Sequence, residues 1–214
     1  RVFQKDIDNI SRSLNGLSME NFKQAVKDIS EAKRVFIIGL RTMHALAIFL
    51  EAALRYINKE TTVLKPGYGE LWDYASTWQK GDVFVGICFP RYTKTTVDVI
   101  EYANKKGLTC IGITDSDLSP LSKYSDYLLT VRCDSDSYYE SLSAPLTLLN
   151  ALVTAVSVHD SQKNLLALKN MEEIWNQKNI YIYPGESVSK SDRHFLKEIS
   201  AKKASRNTEK ETHN

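Results

Sequence analysis

The spacing of hydrophobic residues changes period along the chain. Phe3, Ile7, Ile10 and Leu14 recur at steps of four, three and four, which places them on one stripe of a helix that Asn15-Gly16 ends. Ser18 then reads as the N-cap of a second helix with Phe22, Ala25, Val26 and Ile29 on its apolar face. From residue 34 onward, short β-rich runs alternate with helical stretches. "RVFIIGL" (34–40), "TTVLK" (61–65), "DVFVGICF" (82–89), "TCIGITD" (109–115) and "DYLLTVRC" (126–133) predict strands, with helices expected near 43–57, 69–79, 94–106 and 118–124.

Such alternation calls for a parallel sheet with right-handed crossovers and helices on both faces. "VFIIG" and "VFVGIC" are continuously apolar, as strands covered on both faces are. Gly107, following Lys105-Lys106, ends a helix with cations at the negative end of its dipole. After the last strand, "DSDSYYESLSAPLTLLNALVTAVSVHD" passes from polar to apolar on every side between Leu146 and Val158. That helix must be covered by the sheet or by a partner subunit, and Pro145 fits only in its first turn. A further helix is expected at roughly 161–178, and a Lys-, Ser-, Asn- and Glu-rich tail with one helical stretch near Phe195 closes the chain. The division expected is a connecting helix over 1–16, a body over 17–184 and a polar tail over 185–214.

A chain of 214 residues suits one α/β domain with appendages. Its net charge is +2, and the stretch Glu186–Asn214 holds seven basic against five acidic residues, so the body is near neutral and lacks the basic footprint of a nucleic-acid surface. No run of about 18 apolar residues exists, so no membrane partner is expected. Cys88, Cys110 and Cys133 are odd in number, far apart and near strand-like runs, the pattern of free thiols in a cytoplasmic protein. His44, His159, His194 and His213 show no ligand spacing, so neither a metal nor a cofactor is expected. The opening "RVFQKDIDNI", without an initiator Met, suggests a longer protein that has lost its front.

Ligands of open parallel sheets bind beyond the carboxyl ends of the strands. Two loops there lead into helices, "GLRTMHA" (39–45) and "CFPRYTKTT" (88–96), and each combines arginine with threonine. Arg41-Thr42 and Arg91 with Thr93 beside helix N-termini supply charge and convergent donors to an anion such as a phosphate monoester. An arginine in one surface loop is ordinarily solvated and a threonine before a helix ordinarily caps it. Two matched loops on one sheet edge favour the ligand. Neither loop is a P-loop, and no G-x-G-x-x-G follows the first strand, so nucleotide binding has little support.

"DISEAKRVFIIGLRTMHALAIFL" and "GDVFVGICFPRYTKTTVDVIEYANKKGLTCIGITDSDLSPLSKYSDYLLTV" resemble the sugar isomerase (SIS) domain. More narrowly, "G-L-R", "F-P-R-Y-[ST]-K-x-T" and "ITDS-x-LSPL" resemble the effector-binding half of MurR/RpiR-family transcription regulators, over roughly residues 2–180. The resemblance implies an α/β fold, a three-layer α/β/α sandwich with a five-stranded parallel sheet wound as in flavodoxins. It also implies a homodimer, or a tetramer, that binds a phosphorylated sugar and contacts DNA only through an N-terminal helix-turn-helix domain absent here. By position, Thr42 falls on a hydroxyl of the first phosphate loop, while Cys88 and Thr93 fall on the first serine and the threonine of "S-x-S-G-x-T". Met43, Cys88 and Pro90-Arg91 depart from that pattern by exchanging hydroxyl donors for a guanidinium.

The resemblance places Glu140, in "SYYESLSAP", where SIS isomerases carry an acid/base glutamate. A base there needs a histidine brought by folding, His44 or His159. Ser141 and Ser143 either cap the apolar helix or touch ligand, Tyr92 either lines a sugar pocket or lies in an exposed turn, and Cys88 is either a contact or a small buried hydrophobe. Asp115 and Asp117 are expected to shape a turn and cap a helix at 118. The site expected is therefore Arg41, Thr42, Arg91 and Thr93 on the phosphate with Cys88, Tyr92, Glu140 and Ser143 near the sugar, in a sensor of an amino-sugar or hexose 6-phosphate that makes or breaks no bond. The alternatives are a free-standing aldose–ketose isomerase using Glu140 and a histidine, and a dimerisation module with a vestigial pocket.

Overall fold

The computed structural model describes residues 1–65, 67 and 70–182. Two helices come first, α1 (Val2–Gly16) and α2 (Met19–Glu31), and the Ser18 side chain caps α2 by accepting from the Asn21 N–H. Strand β1 (Arg34–Gly39) leads through a 3-10 turn, Arg41–Met43, into α3 (His44–Tyr56). Then follow β2 (Glu60–Val63), α4 (Glu70–Ser76), β3 (Val83–Ile87), α5 (Lys94–Lys105), β4 (Thr109–Thr114) and β5 (Tyr127–Thr130). The chain ends its described part with α6 (Ser143–His159) and α7 (Ser161–Gln177). The helical stretch expected near Phe195 and the tail over 185–214 lie outside the described residues.

All five strands pair in parallel, in the order β2-β1-β3-β4-β5. Successive side chains of a strand point to opposite faces, so each strand feeds two cores. Val35, Ile37, Val85, Ile87, Ile111 and Ile113 meet Ile29 of α2, Leu50 and Leu54 of α3, and Leu149 and Leu152 of α6. Phe36, Ile38, Phe84 and Cys110 meet Leu71 and Trp78 on one side of the second layer and Val99, Ile100 and Ala103 of α5 on the other. The result is the α/β/α sandwich expected, and it explains the continuously apolar strands. It also settles the place of α6, which packs against α1, α2 and α3 of its own chain.

Helix α5 ends as its sequence directs, with Gly107 at φ +80° and the Leu108 N–H returning to the Ala103 carbonyl. The helix expected over 118–124 does not form. In its place lie turns and a single 3-10 turn, Ser122–Tyr124. Side chains take over its backbone donors: Ser116 Oγ accepts from the Leu118 N–H (3.1 Å) and Ser119 Oγ from the Leu121 N–H (3.3 Å), while Pro120 has no N–H to give.

By compactness the chain divides into Arg1–Asn164, which contains the sheet, and Leu165–Asn214. In the second unit α7 closes at Gln177, where the Ile180 N–H reaches the Trp175 carbonyl and the Trp175 and Tyr181 rings meet edge to face.

At the amino edge of the sheet, β1 and β3 are tied by a fork. Arg34 donates to Asp82 through Nε (3.1 Å) and Nη2 (2.5 Å), and Asp82, whose side chain is fully buried, also accepts the Gln79 N–H. Removing one member of such a pair strands the other in a poorly solvating site. Asp82→Ala is therefore expected to lower the unfolding free energy by about 3–5 kcal/mol, measured by urea denaturation, whereas removing the exposed Lys94–Asp98 pair should change it by less than about 1 kcal/mol.

Candidate functional site

The strand order reverses between β1 and β3, so their crossovers depart to opposite faces, α3 into the first core and α5 into the second. Such a switch point leaves a crevice at the carboxyl edge. Gly39 pairs with Ile87 in the register, which starts both loops at the same height. A Cβ on Gly39 would lie 2.5 Å from the Met43 carbonyl oxygen, so only glycine lets the 3-10 turn fold back over the strand and aim α3's N-terminus at the crevice.

A cavity of about 450 Å³ occupies this position. Arg41, Thr42, Arg91, Thr93, Cys88 and Glu140 all line it, so the two loops converge as the sequence suggested. Arg41 and Arg91 share one unusual backbone state: each has φ +59°. A non-glycine residue in the left-handed region is disfavoured by roughly 1–2 kcal/mol, and such strain concentrates where a site needs a particular projection. Each arginine stands three residues before its helix, near the positive end of a helix dipole. Thr93 precedes α5 without capping it through its side chain, which removes the ordinary explanation for a threonine there.

Cys88 sits beneath the second loop, 3% exposed, and its Sγ accepts the Thr93 N–H at 3.2 Å. Burial pushes this thiol's pKa up, and the Thr93 hydrogen bond only partly offsets it, so Cys88 is a neutral acceptor that shapes the loop. Arg91 donates through Nη2 to the Tyr138 carbonyl at 3.3 Å.

Two expected members are elsewhere. The Tyr92 hydroxyl turns from the cavity to donate to Asp115 Oδ1 (2.8 Å), and Asp115, which also accepts from the Thr114 hydroxyl, is occupied there instead of capping a helix. The Ser143 hydroxyl donates to Asp6 on α1 (2.8 Å), outside the cavity lining. Leu40, Met43, Phe89 and Pro90 also line the cavity, and Tyr138 and Tyr139 give it a wall, their rings 5.0 Å apart. The tyrosine pair had a signal in sequence, two adjacent aromatics in an otherwise polar "DSDSYYES". Among the described residues no histidine joins Glu140 in the lining. His44 places Nδ1 3.2 Å from the Gly39 carbonyl, and His159 lies at the far end of the 17-residue α6, about 25 Å along its axis.

A doubly wound α/β domain with a cationic, hydroxyl-bearing crevice at its switch point is thus defined. Residues 28–155 match the SIS domain family, and the chain belongs to that family. It is 25% identical over 175 residues to an uncharacterised HTH-type transcriptional regulator of Caldanaerobacter subterraneus subsp. tengcongensis, covering 80% of this chain and 62% of that protein. The fold is similar to the sugar isomerase domain of an RpiR transcription factor from Sphaerobacter thermophilus (27% identity, TM-score 0.77, 80% of this chain and 96% of that one). It is also similar to the Vibrio vulnificus NanR protein complexed with ManNAc-6P (17% identity, TM-score 0.71, 81% of this chain and 67% of that one). The chain spans between 41% and 62% of the lengths of the curated relatives it matches. No helix among the described residues is long and apolar enough to cross a membrane.

The Tyr92–Asp115 contact gives a pH signature. Burial first, then Asp115, raises the Tyr92 pKa from 10.0 to about 12. Because the folded state holds this proton longer than the unfolded chain, the contact's stabilisation is complete below about pH 10 and is lost as pH rises toward about 12. Difference absorbance at the phenolate band should show late-ionising tyrosines, and Tyr92→Phe should lower the amplitude of that late phase by one phenolate while the earlier ones remain.

Proposed function

We propose that the chain is the effector-binding domain of a transcription regulator that senses a phosphorylated sugar, an amino-sugar or hexose 6-phosphate, in the cytoplasm. The observation that carries this reading is the pair of left-handed arginines, Arg41 and Arg91, brought by two divergent crossovers to one cavity. Arg41, Thr42, Arg91 and Thr93 hold the phosphoryl group. Cys88, Glu140 and the Tyr138–Tyr139 wall meet the sugar, with Tyr92 and Ser143 supporting from behind through Asp115 and Asp6. The membership in a regulator-bearing family and the likeness to a sugar isomerase domain of an RpiR factor support this assignment. In the whole protein, α1 joins the domain to a DNA-binding domain, and binding alters DNA affinity only because the ligand prefers one arrangement of two subunits.

A second copy of the chain is the proposed cover for α1. Most of its stripe faces outward: Phe3 is 86%, Ile7 55% and Leu14 73% exposed, with Ile10 half-buried, while Asn9 and Ser13 are buried. An apolar helix face left in water is unusual for a chain that functions alone. Ile7→Glu is expected to convert a dimer to a monomer in sedimentation velocity with no loss of helical circular dichroism; an unchanged sedimentation coefficient would remove α1 from the interface.

One observation favours an isomerase instead, the carboxylate of Glu140 in the cavity wall. Turnover of any aldose or ketose phosphate that vanishes in Glu140→Gln would establish that reading and displace the sensor. For the sensor, thermal unfolding across a panel of sugar phosphates is the test. A bound member at about 100 times its dissociation constant adds roughly 2.7 kcal/mol to stability, and Arg91→Ala is expected to erase that gain. Absence of any gain across the panel would leave only the dimerisation role.

A further inference from the structure

Helix α1 docks on the domain with its polar side. Asp6 accepts from the hydroxyls of Ser141 (2.5 Å) and Ser143 (2.8 Å), and the buried Asn9 amide donates to the Asp134 carbonyl (2.7 Å). Ser13 Oγ accepts the Arg132 N–H (2.8 Å), while Arg12 pairs with Asp134 and Arg1 with Asp136, both at 2.9 Å. Every partner lies between Arg132 and Ser143. Before α6 begins this stretch has no regular structure, and the Ser141 N–H closes it on the Cys133 carbonyl (3.0 Å), as the neck of a compact Ω-type loop does. The other side of the same loop supplies Tyr138, Tyr139 and Glu140 to the cavity, and its Tyr138 carbonyl accepts from Arg91.

We propose that the loop 133–141 transmits occupancy of the cavity to α1, with Asp6 as the positioning residue that couples the two. The inference rests on reading the cavity as a phosphate site. A phosphoryl dianion is a far stronger acceptor for a guanidinium than a neutral carbonyl, so it draws Arg91 from Tyr138 and frees the loop's tip. Three residues further on, Ser141 is fastened to Asp6, and hydrogen bonds weaken steeply with small changes of angle where an apolar contact would slide. The seat of α1 is also incompletely satisfied: Asn9 Oδ1 is buried without a hydrogen-bond partner. A buried acceptor left unmet disfavours its own arrangement and brings an alternative seat closer in free energy. Linkage then works in both directions, so a change on α1 alters ligand affinity by the factor with which ligand alters α1.

The test is hydrogen–deuterium exchange on the full chain, with and without inorganic phosphate or N-acetylmannosamine 6-phosphate, in wild type, Asp6→Ala, Asp6→Asn, Ser141→Ala and the exposed control Ser11→Ala. Saturating probe should change exchange over residues 2–16 about twofold or more in wild type and Ser11→Ala, and Asp6→Ala and Ser141→Ala should lose that response while shifting probe affinity about fivefold, toward the low end of measured couplings. Asp6→Asn, which keeps one acceptor oxygen, should retain part of the response. The Asp6→Ala/Ser141→Ala double variant should shift affinity no further than either single one. If wild type binds probe with α1 exchange unchanged, or both single variants bind with wild-type affinity, the transmission is overturned and the phosphate site stands. If neither probe binds wild type, or Arg91→Ala binds as well as wild type, the phosphate site falls and the transmission with it. Circular dichroism identifies a misfolded Asp6→Ala, in which case Ser141→Ala decides.

Discussion

The parallel pairing of β1 with β3 is the constraint on which the rest depends. These strands are adjacent in space but separated in sequence by a whole crossover, and the chain leaves them toward opposite faces. Their carboxyl ends therefore carry the two loops that cannot close over each other. The Arg34–Asp82 fork fixes the amino ends of the same two strands, where a register slip of one residue would send every core side chain to the wrong face. The loops themselves are short, residues 40–43 and 88–93, so the positions of Arg41 and Arg91 are inherited from the sheet with little freedom of their own. Side chains preset by rigid elements lose less entropy on meeting a ligand than side chains on long loops do.

Periodicity and turn chemistry make most of this architecture legible in the amino-acid sequence. The continuously apolar runs at 35–39 and 83–88 announce strands covered on both sides, and Ser18, Gly107 and Asn15-Gly16 mark helix limits that the fold keeps. The failure at 118–124 is a competition that composition alone does not decide: Ser116, Ser119 and Pro120 offer the backbone side-chain partners in place of a helical ladder. In the site, the loop residues adjoining strand ends are readable because their direction follows from the sheet. Tyr92 and Ser143 are not, because a hydroxyl goes to whichever acceptor folding brings near, and Asp115 and Asp6 are 23 and 137 residues away in sequence.

Helix α1 shows the same limit in another form. The recurrence of Phe3, Ile7, Ile10 and Leu14 reveals that an apolar stripe exists and says nothing of which way it faces. Here most of the stripe is turned out and the flank carrying Asp6, Asn9 and Ser13 makes hydrogen bonds to the loop beside the cavity. Both sides of one helix are thereby engaged, one with the domain's own loop and the other, on the proposed reading, with a second subunit. A displacement on the inner side then has to appear on the outer one, since a helix moves as a rod over its 15 residues.

On the proposed reading, the charge balance of the cavity suits a phosphate monoester. Arg41 and Arg91 bring two positive charges, Glu140 removes one, and two helix N-termini add about half a charge each. The net of about two matches a phosphoryl group carrying about −1.5 to −2 near pH 7. Glu140 stands on the loop that forms the wall, whose Tyr138 carbonyl accepts from Arg91. Within the cavity, then, the arginines favour an anion, while the Glu140 carboxylate accepts from hydroxyl or amide donors. A sugar acid would add a second negative charge to a cavity that already holds Glu140 and whose positive charge one phosphate balances. On the same reading a neutral sugar with one phosphate fits that balance, and an acetylated amino sugar would add an N–H donor for Glu140.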